Sequence, residues 1–265
     1  MSQIESKDRV RQIALIVGGA AAIAVAAWGS GAFGGDAIQN ASSGALAATA
    51  TVLAPGTGAF SIWSLIYLAL IVTAIFHALP SRATSPHYRA LGWWLLASLV
   101  LNAAWITVAQ LGLLGLTVPV IALLVAVLAR CFVILRALPP TSGIDRVVLG
   151  LTVGLYLGWA SVATVANVTA VLEFSELDLT FLPQSVWIVT VLTVTAAIAL
   201  ALVLGARRHF LALGVATAAT WGLAWIAVGR LTDGPESQVA VVAAIVAAGL
   251  VGVAGVVAAL RTDQV

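Results

Sequence analysis

Residues 239–260 read VAVVAAIVAAGLVGVAGVVAAL and contain no charged or hydrogen-bonding side chain. A helix needs about 20 apolar residues to cross the ~30 Å hydrocarbon core of a bilayer. The stretch is long enough to do so, and it therefore predicts a transmembrane helix. Seven earlier runs are also long and predominantly apolar, at residues 13–33, 59–79, 91–110, 113–135, 147–172, 185–204 and 210–228.

The composition of the whole chain supports this interpretation. The 265 residues are 62% hydrophobic and 8% charged, whereas a soluble domain carries about 25% charged residues. So few polar groups cannot cover a globule of this size, which excludes a soluble enzyme, a nucleic-acid-binding domain and a disordered chain. We predict an all-α integral membrane protein with eight transmembrane helices in contact with membrane lipid, and no nucleic-acid partner.

The basic residues predict the orientation of the helices. Eleven of the 12 Lys and Arg residues lie on one side: before span 1, after span 8, or in or beside the connections on that side, where Arg130 flanks the connection of spans 4 and 5. Only Arg230 falls on the other side. Cytoplasmic segments carry an excess of Lys and Arg, so both termini should be cytoplasmic. The Ala/Val/Gly-rich, Arg-over-Lys composition is typical of bacteria, and we expect a multi-pass protein of the bacterial cytoplasmic (inner) membrane. Span 1 exceeds the ~7–15-residue apolar core of a signal peptide, so we expect it to be retained.

The sequence offers few groups for catalysis or metal binding. No Asp or Glu lies near the middle of a span, where ion-coupled transporters commonly place a carboxylate. The single lysine, Lys7, lies in the polar N-terminal segment, which excludes a retinal-type Schiff base. The single cysteine, Cys131, excludes an intrachain disulfide and a cysteine metal cluster. Without a nucleophile–base pair or a phosphate loop, we expect no enzyme activity, no catalytic residue, no metal and no required cofactor.

The candidate site consists instead of neutral polar and aromatic side chains. Spacings of three and four residues place them on one face of each helix: Trp63 and Tyr67 on span 2, Asn102 and Trp105 on span 3, and Tyr156, Trp159 and Asn167, with Ala163 between the last two, on span 5. The buried amides either bond between helices or serve a ligand. The mid-helix tryptophans likewise either pack the core or line a pocket.

Two further features concern packing and access. Gly150, Gly154 and Gly158 lie at four-residue spacing on span 5, which predicts close approach of another helix. The connection at residues 34–58 is long and free of Lys and Arg. Such a segment is either a lid over a binding site or a disordered surface loop, and the sequence leaves both open. Spans 6–8 are interpreted as scaffold.

Three motifs, in order, resemble those of the tryptophan-rich sensory protein/translocator protein (TspO/MBR, peripheral benzodiazepine receptor) family. The W-T-x-L-Y pattern of its second helix is matched by Trp63-Ser64-Leu65-Ile66-Tyr67, and the L-N-x-x-W pattern of its third helix by Leu101-Asn102-Ala103-Ala104-Trp105. The pattern of its fifth helix is matched by Tyr156-Leu157-Gly158-Trp159, Val162-Ala163 and Asn167. Phe60 stands where the family usually has a proline, and no Tyr followed by a basic residue comes after Asn167, so the steroid-recognition pattern is missing.

The resemblance implies that residues 1–172 form the five-helix bundle of the family and that residues 173–265 add three transmembrane helices. It also implies a pocket that opens to the outer side and binds a porphyrin or another flat hydrophobic ligand, often in a homodimer. Carried over to this chain, the ligand-binding residues would be Trp63, Tyr67, Asn102, Trp105, Tyr156, Trp159 and Asn167. We therefore expect a membrane sensor, binding or transport protein. The alternatives are a secondary transporter or exporter of small neutral solutes and a structural membrane subunit.

Overall fold

The computed structural model describes residues 4–29, 37–175 and 182–260. Within these ranges the chain forms eight long α-helices and no strand. Each helix is long and apolar enough to cross a membrane, so the predicted all-α membrane fold is confirmed. The helices are α1 (Ser6–Gly29), α2 (Ile62–Ala78), α3 (Pro86–Gln110), α4 (Leu114–Ala137), α5 (Gly143–Phe174), α6 (Gln184–Gly205), α7 (His209–Thr232) and α8 (Gln238–Leu260).

Helices α5 and α7 form the centre of the bundle. In the most apolar 18-residue stretch of each helix, 67% of α5 and 61% of α7 is buried inside the protein, against 28% of α1 and of α8. A Cβ atom added at Gly154 would lie 2.5 Å from the Leu211 carbonyl oxygen, and one at Gly158 would lie 2.5 Å from the Val215 carbonyl oxygen. Only glycine permits this approach, and the predicted close helix contact is confirmed.

The remaining helices surround this pair. Helices α6 and α8 pack against α7, while α4 and α2 pack against α5 and α3 bridges α1 and α4. Large apolar side chains cover the outside; Val253 of α8, for example, is 65% exposed. Such a surface is stable in lipid but not in water, because exposed apolar area is costly there. The protein is therefore a multi-pass membrane protein with lipid around it.

Buried carboxylates at one end of the bundle bind side chains of neighbouring helices. Helix α1 also begins earlier than predicted there. The buried Asp8 carboxylate accepts hydrogen bonds from Arg11 at 2.8 Å and from Arg89 of α3 at 2.8 and 2.5 Å. Asp145 at the start of α5 accepts from Tyr88 at 2.9 Å. These charges are paired when buried, as a low-dielectric site requires. Helix α1 consequently begins at Ser6, seven residues before the apolar run.

Candidate functional site

The connection between α1 and α2 is packed against the bundle over its described part. The loop segment, defined as residues 37–61, contains two short 3₁₀ helices at Ile38–Gly44 and Thr57–Ser61. It buries apolar side chains throughout its length: Ile38, Ala41, Ala45, Ala48, Leu53 and Ala59. Of the two possibilities left by the sequence, this packing favours a lid; residues 34–36 of the predicted loop lie outside the described residues.

An arginine near the end of α7 holds the loop segment in place. Arg230 is 2% exposed, and its guanidinium donates hydrogen bonds to the backbone carbonyls of Ala48 and Thr51. Beside it, the Gly56 N–H donates to the Trp225 carbonyl at 2.8 Å. An arginine is suited to this position because its planar fork can serve two carbonyl acceptors at once.

Two further bonds from α7 and its C-cap fix the second half of the loop segment. The indole Nε1 of Trp221 donates to the Ala59 carbonyl at 2.9 Å. The Asp233 carboxylate accepts from the Thr57 N–H at 2.9 Å, and this hydrogen bond lowers the pKa of Asp233 below its ordinary value. Sequence reasoning assigned no role to α7 here. The available indication was Arg230 itself, the one basic residue on the side opposite to the others.

A cavity lies beneath the loop segment, with about 490 Å³ of empty space when the open solvent at its mouth is included. Three predicted site residues line the cavity: Trp105 of α3, and Trp159 and Asn167 of α5. The loop segment supplies much of the opposite wall, including Ile38, Ala45, Leu46, Ala47, Thr51, Ala54, Pro55 and Phe60.

The polar groups of the cavity are few. Asn167 links three helices: its Oδ1 accepts from Trp105 Nε1 at 3.0 Å, and its Nδ2 donates to Thr117 Oγ1 of α4 at 2.8 Å. A carboxamide has two donor hydrogens and two acceptor lone pairs, so each atom retains capacity for one more bond. Thr51 is 2% exposed, and its buried hydroxyl has no hydrogen-bond partner among the described residues. A buried hydroxyl of this kind is unusual in a folded protein.

The other four predicted site residues, three aromatic rings and one amide, form a layer beside the cavity. The Trp63 ring stacks on Tyr67 with centroids 5.2 Å apart and meets Tyr156 and Trp159 edge to face at 5.9 and 6.3 Å. Asn102 Nδ2 donates to Tyr67 Oη at 3.3 Å. Trp63, Tyr67, Asn102 and Tyr156 are not among the described residues that line the cavity.

Tyr156 and Phe60 show how the layer meets the cavity. Tyr156 is fully buried and donates to the Ser98 carbonyl at 3.1 Å. Phe60 lines the cavity and meets the Trp159 ring edge to face, with centroids 6.2 Å apart. The sequence treated Phe60 only as a departure from the family pattern. The sequence prediction placed Phe60 inside span 2, whereas in the structure it lies in the loop segment, two residues before α2 begins at Ile62.

The cavity is chemically suited to binding. Two indoles and a phenyl ring provide flat apolar surface, and one amide and one hydroxyl provide hydrogen bonds. Within residues 4–29, 37–175 and 182–260, no group of three His, Cys, Asp or Glu side chains could hold a metal ion.

A family model matches most of the chain. The profile of the family described as TSPO-like protein matches residues 12–257, which includes most of α1 and nearly all of α8. No curated protein and no solved structure matched the chain. The match confirms the resemblance stated from the three motifs. It extends beyond the first five helices, and the division of the chain at residues 172 and 173 stays a prediction. A profile that covers this much of the sequence shows that the chain belongs to the TSPO-like protein family.

Proposed function

We propose that the cavity beneath the loop segment binds a flat hydrophobic small molecule, such as a porphyrin, for sensing or transport at the membrane. The observation that carries the proposal is the lining itself: the aromatic faces of Trp105 and Trp159 beside the unpartnered hydroxyl of Thr51. Membership of the TSPO-like family supports a membrane sensor or binding role.

The energetics favour such a ligand over a small polar solute. Burying a flat apolar molecule against the indole rings of the cavity wall gains about 25 cal/mol for each Å² removed from water, and stacking adds to this. A polar solute would leave most of its hydrogen bonds unmade in a cavity with so few polar groups. The Thr51 hydroxyl and the spare capacity of Asn167 would orient a ligand that carries one or two polar substituents.

Cellular placement and assembly belong to the same proposal. The charge distribution supports a bacterial cytoplasmic membrane with both termini cytoplasmic and the loop segment on the outer side. Family resemblance supports a homodimer and a protein that is not an enzyme. Among the described residues that line the cavity, none pairs a nucleophile with an adjacent base.

A fluorescence titration tests the proposal. Protoporphyrin added to the detergent-purified protein should quench tryptophan emission with a saturable isotherm. Trp159→Phe should reduce both the quenching and the affinity, because it removes an indole from the cavity wall. Thr51→Val keeps the shape but removes the hydroxyl, and should weaken binding about 3- to 10-fold if a ligand atom bonds there.

Trp93→Phe is the matched control for the tryptophan variant. Trp93 lies near the start of α3 and is 51% exposed, outside the cavity lining. It should lose some emission without any change in affinity. Quenching that is unchanged in Trp159→Phe and Thr51→Val, or reduced equally in Trp93→Phe, would place the ligand elsewhere and refute the assignment.

A further inference from the structure

The two halves of the loop segment are held in different ways. In the docked half, defined as residues 48–61, hydrogen bonds to α7 or its C-cap are made by Ala48, Thr51, Gly56, Thr57 and Ala59. Gly56 also lies against α7 backbone, since an added Cβ would be 3.0 Å from the Gly229 Cα. The docked half is therefore a fixed wall of the cavity.

The other half, defined as the α3 half and comprising residues 37–47, is held more weakly at the C-terminal end of α3. Ile38 and Ala41 pack on Ala109, and the Ser42 Oγ donates to the Ala109 carbonyl at 2.9 Å. Among the described residues, this is the one hydrogen bond from the α3 half to a helix. Apart from Ile38, the buried side chains of the α3 half are alanines. Lifting it away would therefore expose little apolar area.

A strained turn lies within the α3 half. Ser42 and Ser43 both have left-handed backbone conformations, with φ of 49° and 58°, and Gly44 follows with φ of 83°. Glycine adopts this conformation without a steric penalty, whereas the two serines do not. Such strain persists only where surrounding contacts impose it. Here the imposing contacts are the Ser42 hydrogen bond and the packing on Ala109.

The α3 half nevertheless covers part of the cavity, because four of its residues belong to the lining: Ile38, Ala45, Leu46 and Ala47. We propose that the α3 half is a strained gate, which lifts from α3 and admits the ligand while the docked half stays on α7. The turn at residues 42–44 relaxes as the gate opens, so its strain raises the open population. The entrance lies beside Trp105, which packs against Ile38 and Ala41 in the closed gate. The passage of a ligand rests on the proposed function, but the opening itself requires no ligand.

Thiol labelling measures the opening without a ligand. Ala170 of α5 lines the cavity and is 3% exposed. Ala170→Cys should therefore react with a charged, water-soluble methanethiosulfonate only when the gate is open. Labelling is followed by mass spectrometry in a Cys131→Ala background, since Cys131 is the single cysteine of the chain. Where opening and closing are fast relative to labelling, the labelling rate is proportional to the open population.

Two serine variants should change this rate in opposite directions. Ser43→Gly should slow labelling about fivefold, because glycine removes one left-handed penalty from the closed gate. Ser43→Ala is its matched control: Ser43 is exposed and alanine keeps the penalty, so the rate should not change. Ser42→Ala should speed labelling about fivefold, because it removes the hydrogen bond to Ala109. Ser61→Ala should leave the rate unchanged, because its hydroxyl bonds to Gly58 within the docked half.

Ala199→Cys separates opening of the gate from loosening of the whole bundle. Ala199 of α6 is buried outside the cavity lining and should stay unlabelled in every variant. Two results would overturn the gate: equal labelling in Ser43→Gly and Ser43→Ala, or a Ser42→Ala variant in which Ala199→Cys labels as fast as Ala170→Cys. The proposed function fails separately, by a lack of protoporphyrin quenching in a protein whose serine variants label in the expected order.

Discussion

Arg230→Met tests whether α7 holds the loop segment over the cavity. Methionine keeps the apolar stem of the arginine but lacks the guanidinium, which removes both hydrogen bonds to the Ala48 and Thr51 carbonyls. The site is almost completely buried, so water cannot easily replace the lost donors. The change therefore leaves two backbone carbonyls without partners in a poorly hydrated place.

The magnitude follows from the two opposing contributions. Each hydrogen bond from a charged donor contributes about 1.5–3 kcal/mol, while removing the buried guanidinium relieves a desolvation penalty of several kcal/mol. We expect a net loss of about 2 kcal/mol in the free energy that keeps the loop segment closed, which corresponds to roughly 30-fold more opening.

Amide hydrogen exchange measures this opening of the loop segment. The Gly56 N–H, which donates to the Trp225 carbonyl, should exchange roughly 30-fold faster in Arg230→Met, while amides inside α5 stay protected. Arg9→Met is the control, because Arg9 is exposed at the start of α1. Equal exchange at Gly56 in wild type and Arg230→Met would refute the reasoning; so would acceleration of the whole bundle, which would mean global destabilisation.

Three further predictions concern packing, pH and the buried ion pairs. Gly158→Ala should destabilise the protein by about 1–3 kcal/mol in thermal unfolding, because its Cβ meets α7 backbone, whereas Gly205→Ala, with open space around its Cβ, should not; equal melting temperatures would contradict this. The bond from the Thr57 N–H lowers the pKa of Asp233, so this tether should be present above the unfolded pKa of about 3.9 and be lost as the pH falls through the lower folded value. Exchange of the Thr57 amide, corrected for its intrinsic rate, checks this, and Asp233→Asn should remove the pH dependence. Asp8→Asn should lower the melting temperature, because it leaves the arginines of α1 and α3 without their carboxylate, and an unchanged melting temperature would count against a structural role.

The helices and their central contact could be predicted from the sequence because both depend on local features. An apolar run of 20 residues has few stable alternatives to a membrane helix. Glycines at four-residue spacing mark a face where a backbone can approach, whichever helix supplies it. The sequence could not name α7 as the partner of Gly154, because that depends on how all eight helices are arranged.

The candidate site could be predicted only in part for the same reason. Helix periodicity places Trp159 and Tyr156 within one turn of each other, but it does not say which side chain faces the cavity. Trp159 lines the cavity, whereas the Tyr156 hydroxyl is bound to the Ser98 carbonyl on α3. The role of Arg230 in holding the loop segment could not be predicted either, because its two acceptors lie 182 and 179 residues earlier in the chain.

The glycine contact between α5 and α7 has a consequence for communication across the membrane. Helix α7 holds the loop segment at one end of the bundle and runs to the other end. The two ends become coupled only if an element between them has two arrangements that a ligand can bias. A slide of α7 by one residue, about 1.5 Å, would drive its side chains into the backbone at Gly154 and Gly158. Ligand binding beneath the loop segment should therefore not be transmitted to the opposite end of the bundle by a sliding movement of α7.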